Sequence, residues 1–291
     1  MHTAVIEFPK PVDLRTTTRS LGVGDWDGDS WWWATQTPLG IGTIRISTVR
    51  ERIVEAAAWG EGAPTLIDRL PYLVGFNDDG FENEVPTALR DLAGRSFGLR
   101  LGANRAMAET VSRTVLGQLV TTQEAKSSLR RIVQDLGEVA PGPRSDLRAF
   151  PAPQSLSSLG YHDLHRFGVE RKRASTVIEV SRRASRIDEA LAMGKEDAAN
   201  RLLAVKGVGA WTVGIAMGEA YGDTDAVPIG DFHLPNTVAW ALAGEDRADD
   251  DRMLELLEPY RPHRRRVVLM IKYAGIKAPK YGPKTAVRRH L

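Results

Sequence analysis

Two glycines in a short turn are the first residues in this chain with a clear chemical use. The turn, KGVG at 206–209, interrupts helical sequence that runs from Asp197 to Leu203 and resumes at Ala210. Glycine tolerates positive φ, and without a side chain it lets an anion approach the backbone N–H groups that begin the second helix. Such amides form an anion nest without any charged side chain. A glycine turn also joins packed helices for structural reasons alone.

One carboxylate follows this turn at the start of a further helix. Asp231 comes after the extended residues 227–229, and Pro235 suits a helical first turn. An aspartate there either caps the helix or presents a fixed negative charge to a ligand. The nearby Asp223 and Asp225 lie in a turn composition and are predicted to bond local backbone. The hairpin and Asp231 together suggest a turn that binds DNA next to a carboxylate that takes part in a reaction.

Composition limits the chemistry that other residues can supply. The 291 residues include no cysteine, which excludes disulfides, thiol nucleophiles, cysteine zinc sites and iron–sulfur clusters. The side chains that remain available for catalysis are carboxylates, lysines and histidines. The formal net charge is only +2, yet residues 261–291 hold ten Lys or Arg and no Asp or Glu. This basic tract suits a phosphate backbone, or it is a solvated tail.

The hydrophobic content indicates a globular protein of two or three domains. With 42% hydrophobic residues the chain can bury a sizeable core. It has no apolar run of membrane-spanning length, and its first residues lack the sections of a signal peptide. We therefore expect a soluble, monomeric, cytoplasmic protein that associates with the nucleoid.

The elements that must position the hairpin and Asp231 change in type near residue 100. Alternating patterns predict strands at Ala4–Phe8, Ser30–Thr37, Gly42–Thr48 and Ile53–Trp59. Ala63–Leu73 follows as a short helix, which predicts an antiparallel α+β unit. On the second strand, Trp31–Trp33 would alternate between a core face and an outer face.

Beyond Ala106 the apolar residues recur at helical spacing, so the rest of the chain is predicted to be helical. The sequence thus predicts an antiparallel α+β domain over residues 1–100 and a helical domain over residues 101–282. Within the second domain a helix-hairpin-helix spans about residues 197–222, and residues 283–291 form a basic tail.

The residues around the hairpin connect this pattern to a known family. LLAVKGVGAWT closely resembles the hairpin of the helix-hairpin-helix DNA glycosylase superfamily, which places an aspartate at the start of a later helix. TVLGQLVTTQEA at 114–125, HRFGVERKRAS at 165–175 and the segment 258–275 resemble the bacterial alkylation-inducible 3-methyladenine DNA glycosylase II. The resemblance covers nearly the whole chain, and its specific part lies in residues 100–275.

Site residues carry over from this family position by position. Asp231 would be catalytic, and the base pocket would be lined by Trp211, Ile215 and Lys272. The DNA wedge would consist of Gln118 and Leu119. The DNA backbone would be bound by Gly207, Gly209 and Thr212. His233 matches a histidine of some members and acts either in the reaction or only in packing. Hairpin carbonyls would hold a monovalent cation, Na or K, without side-chain ligands, and no other cofactor is expected.

A fixed carboxylate suits the reaction of this family. As a base leaves, the sugar acquires oxocarbenium-like charge, which Asp231 would stabilise while it orients the incoming water. Bifunctional members hold a lysine at the position of Trp211, and tryptophan cannot form a Schiff base. The resemblance therefore implies a monofunctional DNA glycosylase of base excision repair that acts on double-stranded DNA containing damaged bases.

Two pocket positions depart from the family pattern. Ile215 and Lys272 replace aromatic residues that favour cationic alkylated purines. Alkylated purines remain the first expectation, and hypoxanthine is the second if Lys272 points inward. Lys272 could also reach a phosphate or supply an amine for lyase chemistry.

The same departures motivate another class of function, a non-catalytic lesion- or DNA-binding protein of the same fold. A third class, a DNA-end nuclease or lyase, needs an acidic metal cluster or a reactive amine near the hairpin. Asp249–Asp251 is the densest acidic run, and it is predicted to be an exposed helix start.

Overall fold

The computed structural model describes residues 1–81 and 85–279. The predicted basic tail at 283–291 therefore lies outside the described residues. Within these ranges no helix is both long and apolar enough to cross a lipid bilayer.

An antiparallel sheet of five strands forms the N-terminal unit, in the order β1-β5-β4-β3-β2. The strands are β1 His2–Glu7, β2 Asp25–Asp27, β3 Ser30–Thr37, β4 Gly40–Arg50 and β5 Ile53–Trp59. The four predicted strands are confirmed. β2 was not predicted, because three residues between glycine turns are too short to show alternation.

The tryptophans of β3 alternate as predicted, but both faces of the strand are covered. Trp31 and Trp33 are only 1% exposed in the sheet core. Trp32 lies on the opposite face, where its ring stacks on that of Trp59 with centroids 5.6 Å apart. The indole that faces outward is therefore used in packing.

Two helices complete this unit. The predicted α2, Ala63–Leu73, packs against β4 and β5 and buries Leu66, Leu70 and Leu73. The earlier α1, Leu14–Arg19, begins where the carboxylate of Asp13 accepts a hydrogen bond from the Thr16 amide at 3.1 Å. Helix α1 was not predicted, because its threonines have low helix propensity and only the cap and the core contact fix it.

Helices account for the regular structure of the remaining described residues, which confirms the predicted fold class. They are α3 Arg90–Arg95, α4 Met107–Leu116, α5 Thr122–Leu136, α6 Pro153–Ser157, α7 Tyr161–His165, α8 Arg171–Arg182, α9 Ala184–Asp188, α10 Lys195–Leu203, α11 Ala210–Ala216, α12 Leu234–Ala243, α13 Asp250–Leu257 and α14 Arg264–Tyr273. A π-helical turn, Met217–Tyr221, extends α11. Short 3-10 turns lie at Thr87–Leu89, Glu189–Ala192 and Glu258–Tyr260.

The helices build two separate hydrophobic cores. One joins buried residues from α4 through the π-helical turn, and the other joins α3 with α12, α13 and α14. Leu89 and Leu92 precede the predicted boundary at residue 100, yet they pack in the second core. Helices α11 and α12 follow each other in the chain and belong to different cores, so the segment between them bridges the junction.

Buried polar contacts fasten the sheet unit to this junction. The side-chain amide of Asn104 donates to the Leu21 carbonyl at 2.9 Å, and its backbone amide donates to the Glu219 carbonyl at 2.8 Å. Arg266 on α14 forms a buried ion pair with Asp78. These contacts join the sheet unit to the helices of both other cores.

Candidate active site

The hairpin between α10 and α11 adopts the predicted form, but its two glycines differ. Gly207 has φ +90°, and a Cβ there would lie 2.1 Å from Oγ1 of Thr176. Gly209 was expected to be free to take positive φ as well, but it is extended at φ −112°, a value open to any residue. A Cβ on Gly209 would meet nothing within 4 Å. Gly207 therefore shapes the turn, while the open space beside Gly209 leaves room for an anion.

The Asp231 carboxylate accepts hydrogen bonds from α11 and from the start of α12, the two helices that belong to different cores. Its Oδ1 accepts hydrogen bonds from the amides of His233 and Leu234, each at 2.9 Å, at the start of α12. Its Oδ2 accepts a hydrogen bond from Nε1 of Trp211 on α11 at 3.0 Å. The capping role and the presentation of a fixed charge thus coexist, and the side chain remains partly exposed. A carboxylate fixed in this way is suited to stabilising a positive charge that develops beside it.

The loop after α4 presents an apolar side chain to solvent. Leu119 is 93% exposed and has φ +54°, in the left-handed region that costs a leucine about 1 kcal/mol or more. The loop lies beside the hairpin helix, since a Cβ on Gly117 would be 3.9 Å from Cη2 of Trp211. Because Leu119 is both strained and exposed, a functional role explains it better than a role in core packing.

Gln118 does not project with Leu119. Its Nε2 donates to the Gly207 carbonyl at 3.1 Å and to Oγ1 of Thr212 at 2.9 Å. Without DNA, Gln118 thus joins the loop to the hairpin, and its place in the wedge stays a prediction. Thr212 is only 1% exposed and its hydroxyl binds Gln118, so its contact with the DNA backbone also stays a prediction. Sequence spacing does not reveal such a long-range partner.

A buried arginine that the sequence reading passed over supports the same loop. Arg173 on α8 donates from Nη1 to the Leu116 carbonyl at 2.7 Å, at the end of α4. Burial lowers its pKa, an effect that Glu170 and Glu124 oppose. Its segment, HRFGVERKRAS, carried the family resemblance, which was the available signal, although nothing in it distinguishes this arginine from its basic neighbours.

His233 contributes to the site through its backbone. Its imidazole is exposed and packs edge-on against the ring of Phe232, with centroids 4.9 Å apart. Phe232 is itself 87% exposed, beside the candidate carboxylate, and sequence reasoning did not single it out. Within the described residues the histidine ring is thus a packing partner.

The predicted pocket residues lie on two helices. Ile215 follows Trp211 by one turn on α11, and Glu219 follows by one more turn. Burial raises the pKa of the Glu219 carboxyl, and the positive charges of Arg265, Lys272 and Arg113 oppose this rise. Lys272 on α14 is exposed and within electrostatic reach of Glu219. Glu219 was missed because the sequence placed it only at the end of a helix.

Hairpin carbonyls suit the predicted monovalent cation, although an ion there stays a prediction. The Gly207 carbonyl accepts from Gln118, and the Val205 carbonyl accepts from the Val208 amide at 3.0 Å. Each carbonyl oxygen keeps a second lone pair for a cation.

Sequence comparisons confirm the predicted resemblance to 3-methyladenine DNA glycosylases. A Bacillus subtilis protein named as a DNA-3-methyladenine glycosylase is 23% identical over 61% of this chain and 62% of its own length. A Mycobacterium tuberculosis protein named as a bifunctional transcriptional activator and DNA repair enzyme AlkA is 30% identical over 50% of this chain and 29% of its own. The chain thus spans less than two thirds of either relative. No family model matches.

Solved structures share the fold over nearly the whole chain. A 3-methyladenine DNA glycosylase from Archaeoglobus fulgidus superposes with a TM-score of 0.78 at 18% identity, over 93% of this chain and 97% of its own. An 8-oxoguanine glycosylase/lyase from Clostridium acetobutylicum, in complex with double-stranded DNA, superposes with a TM-score of 0.71 at 10% identity. The match covers 94% of this chain and 97% of that one. The sheet unit and the helical units therefore form one known architecture.

Proposed function

We propose that this chain is a DNA glycosylase of base excision repair that hydrolyses the N-glycosidic bond of a flipped, damaged purine in double-stranded DNA. The observation that carries the proposal is the Asp231 carboxylate, held by donors from two helices beside a glycine hairpin. The names of the curated relatives and the DNA complex of a structural neighbour support it. We further propose that it acts as a monomer on the nucleoid in the cytoplasm.

DNA binding and base extrusion use the hairpin and the loop after α4. A phosphate can approach the backbone amides from Gly209 onward, because no atom lies within 4 Å of the position that a Cβ on Gly209 would take. Rotation of the target nucleotide out of the duplex costs a few kcal/mol. The exposed Leu119 offsets that cost by occupying the vacated stack.

Bond cleavage depends on the charge of Asp231. The sugar becomes cationic as the base departs, and a carboxylate about 4 Å away stabilises it by about 4 kcal/mol at an effective dielectric constant near 20. This amounts to about a thousandfold in rate. The donors that hold both oxygens of Asp231 keep the charge in place, and the same carboxylate can orient the attacking water.

The proposed reaction ends at an abasic site without strand cleavage. The hairpin helix offers an indole at Trp211, which has no nucleophilic amine. Lys272 is the alternative amine. Borohydride trapping on abasic DNA tests it: a monofunctional enzyme gives no covalent complex that depends on Lys272.

The name of the Bacillus subtilis relative favours alkylated purines, whereas Ile215 and Lys272 favour a neutral purine such as hypoxanthine. A panel of duplexes that carry 3-methyladenine, 7-methylguanine, hypoxanthine or uracil, followed by alkali cleavage, tests the activity. We expect abasic product from at least one purine lesion. Tight binding without product would instead identify a non-catalytic lesion-binding protein.

A further inference from the structure

The three aspartates at the start of α13 lie in different environments. Asp249 caps the helix, because its Oδ1 accepts a hydrogen bond from a first-turn amide at 2.9 Å. Asp251 is exposed. Asp250 is partly buried, and its Oδ2 accepts a hydrogen bond from the amide of Gly230 at 2.9 Å. One carboxylate of the acidic run is therefore bound to the residue directly before Asp231.

Gly230 forms a bend that little else holds in place. Its φ of +88° lies in the left-handed region, and no atom lies within 4 Å of the position that a Cβ would take. Glycine also has more conformational freedom than any other residue. Among the described residues, no hydrogen bond between two backbone groups involves residues 227–232. The bond to Asp250 is thus the contact that fixes the backbone at this bend.

The chain before the bend is anchored by packing instead. Val227 is only 8% exposed and belongs to the core of α3, α12, α13 and α14. Pro228 lies against α11, since a Cβ on Gly214 would be 2.6 Å from its Cα. Ile229 is already 38% exposed, so this packing ends there. The backbone beyond Ile229 therefore depends on the next anchor, which is the bond at Gly230.

Helix α13 provides a fixed base for that bond. Met253 of α13 and Val238 of α12 are fully buried in the same core. The amide of Ala248, just before α13, donates to Oδ1 of Asn236 on α12 at 2.8 Å. The two helices are thus held together by apolar packing and by a hydrogen bond. An anchor at Asp250 therefore keeps a fixed position relative to the start of α12.

The stability of α13 does not explain why Asp250 is an aspartate. Asp249 already supplies the cap, and Asp249 and Asp251 supply negative charge to the first turn. Oδ1 of Asp250 is buried and accepts no hydrogen bond from the described residues. Burial of an acceptor without a donor costs free energy. The bond to Gly230 is what the protein gains from this side chain.

We propose that Asp250 is a positioning residue, whose hydrogen bond to the Gly230 amide holds the Asp231 carboxylate at the place where its charge acts on the sugar. Asp250 itself touches neither the base nor the sugar in this role. The inference rests on the proposed function, because Asp231 must take part in base release. A misplacement of about 1 Å can slow a reaction by about 100-fold, so one backbone bond beside the reacting group has a large effect.

Asp250→Ala tests the role by removing the acceptor. Single-turnover release is measured on duplex DNA with the lesion that the wild type releases fastest among 3-methyladenine, 7-methylguanine and hypoxanthine. We expect the rate to fall by about 10- to 100-fold, with affinity for the lesion DNA within about 3-fold. Asp251→Ala makes the same chemical change at an exposed neighbour and leaves the rate unchanged.

Asp250→Asn separates the hydrogen bond from the charge. The side-chain oxygen of asparagine still accepts from the Gly230 amide, so we expect a rate within about 3-fold of the wild type. A loss as large as that of Asp250→Ala would show that the charge acts and the bond does not, which would overturn the positioning role.

Combination with Asp231→Asn separates positioning from a general structural defect. A residue that acts only through the Asp231 carboxylate has little left to affect once that charge is gone. Asp250→Ala should therefore lower the residual rate of Asp231→Asn by less than about 3-fold. A poorly folded variant would instead lose the same factor in both backgrounds, because fewer molecules would be active.

The outcomes also separate this role from the proposed function. A wild-type rate for Asp250→Ala, or equal losses in the two backgrounds, would overturn the role of Asp250 and leave the glycosylase proposal intact. No release of any lesion by the wild type would overturn the glycosylase proposal, and the positioning role with it.

Discussion

The carboxylates of Asp231 and Glu219 differ in the number of hydrogen bonds that they accept. Asp231 accepts three hydrogen bonds from the protein, whereas Glu219 accepts none from the described residues. The Asp231 site, which we define as Asp231 and Trp211, is complete before DNA arrives. Burial, rather than hydrogen bonding, determines the environment of the Glu219 carboxyl and raises its pKa. The difference indicates that hydrogen bonds hold the Asp231 carboxylate in place for the reaction, whereas Glu219 lies in the packed junction of the protein.

Removing the charge of Asp231 is expected to have the largest effect. Asp231→Asn keeps an acceptor oxygen for the α12 amides but loses the negative charge beside the sugar. We expect single-turnover base release to fall by about 10² to 10³, with lesion-DNA affinity within about 3-fold. A variant that releases base at the wild-type rate would remove Asp231 from the reaction.

Truncating Leu119 tests base extrusion, which must precede base release. Leu119→Ala removes the side chain that is 93% exposed, and base release should fall by about 10- to 100-fold for a lesion in a stable pair. The loss should shrink when the lesion is mispaired, because a mispaired base costs less to extrude. Leu203→Ala, a change at an exposed leucine on α10, is the matched control. Equal losses in paired and mispaired duplexes would argue against a wedge.

Trp211→Phe separates the indole hydrogen bond from the aromatic surface. Loss of the 3.0 Å bond from Nε1 to Asp231 should slow release of every base by about 10-fold, as expected for a bond to a charged group. The preference among bases should not change. Trp240→Phe, at a half-exposed indole on α12, is the control. A change in preference without a general loss would place Trp211 in base selection instead.

The smallest effect concerns the contribution of the Glu219 carboxyl to the stability of the protein. Its folded pKa is raised above the ordinary value of 4.5, so the stability that protonated Glu219 provides is fully present below that value. It is lost as pH rises through the folded pKa. Glu219→Gln should therefore raise Tm at pH 8, and the difference should vanish near pH 4.5. Glu196→Gln serves as the control, and a lower Tm for Glu219→Gln at pH 8 would contradict the expectation.

The sequence predicted the hairpin and the helix start at Asp231 better than the environment of Glu219, for a physical reason. The turn at Gly207 and the helix start at Asp231 depend on local geometry, which spacing and residue type encode. The roles of Gln118, Arg173 and Glu219 depend on partners far away in the chain. Likewise, the four strands follow from alternation, whereas α1 and β2 depend on tertiary contacts that no local pattern displays.

The central claim, that the charge of Asp231 drives base release, is tested most directly by one pair of rates. Single-turnover release of 3-methyladenine and of hypoxanthine from duplex DNA is compared between the wild type and Asp231→Asn. We predict that Asp231→Asn lowers the rate for every base that the wild type releases, by about 10² to 10³. Release of any of these bases at the wild-type rate would contradict the account.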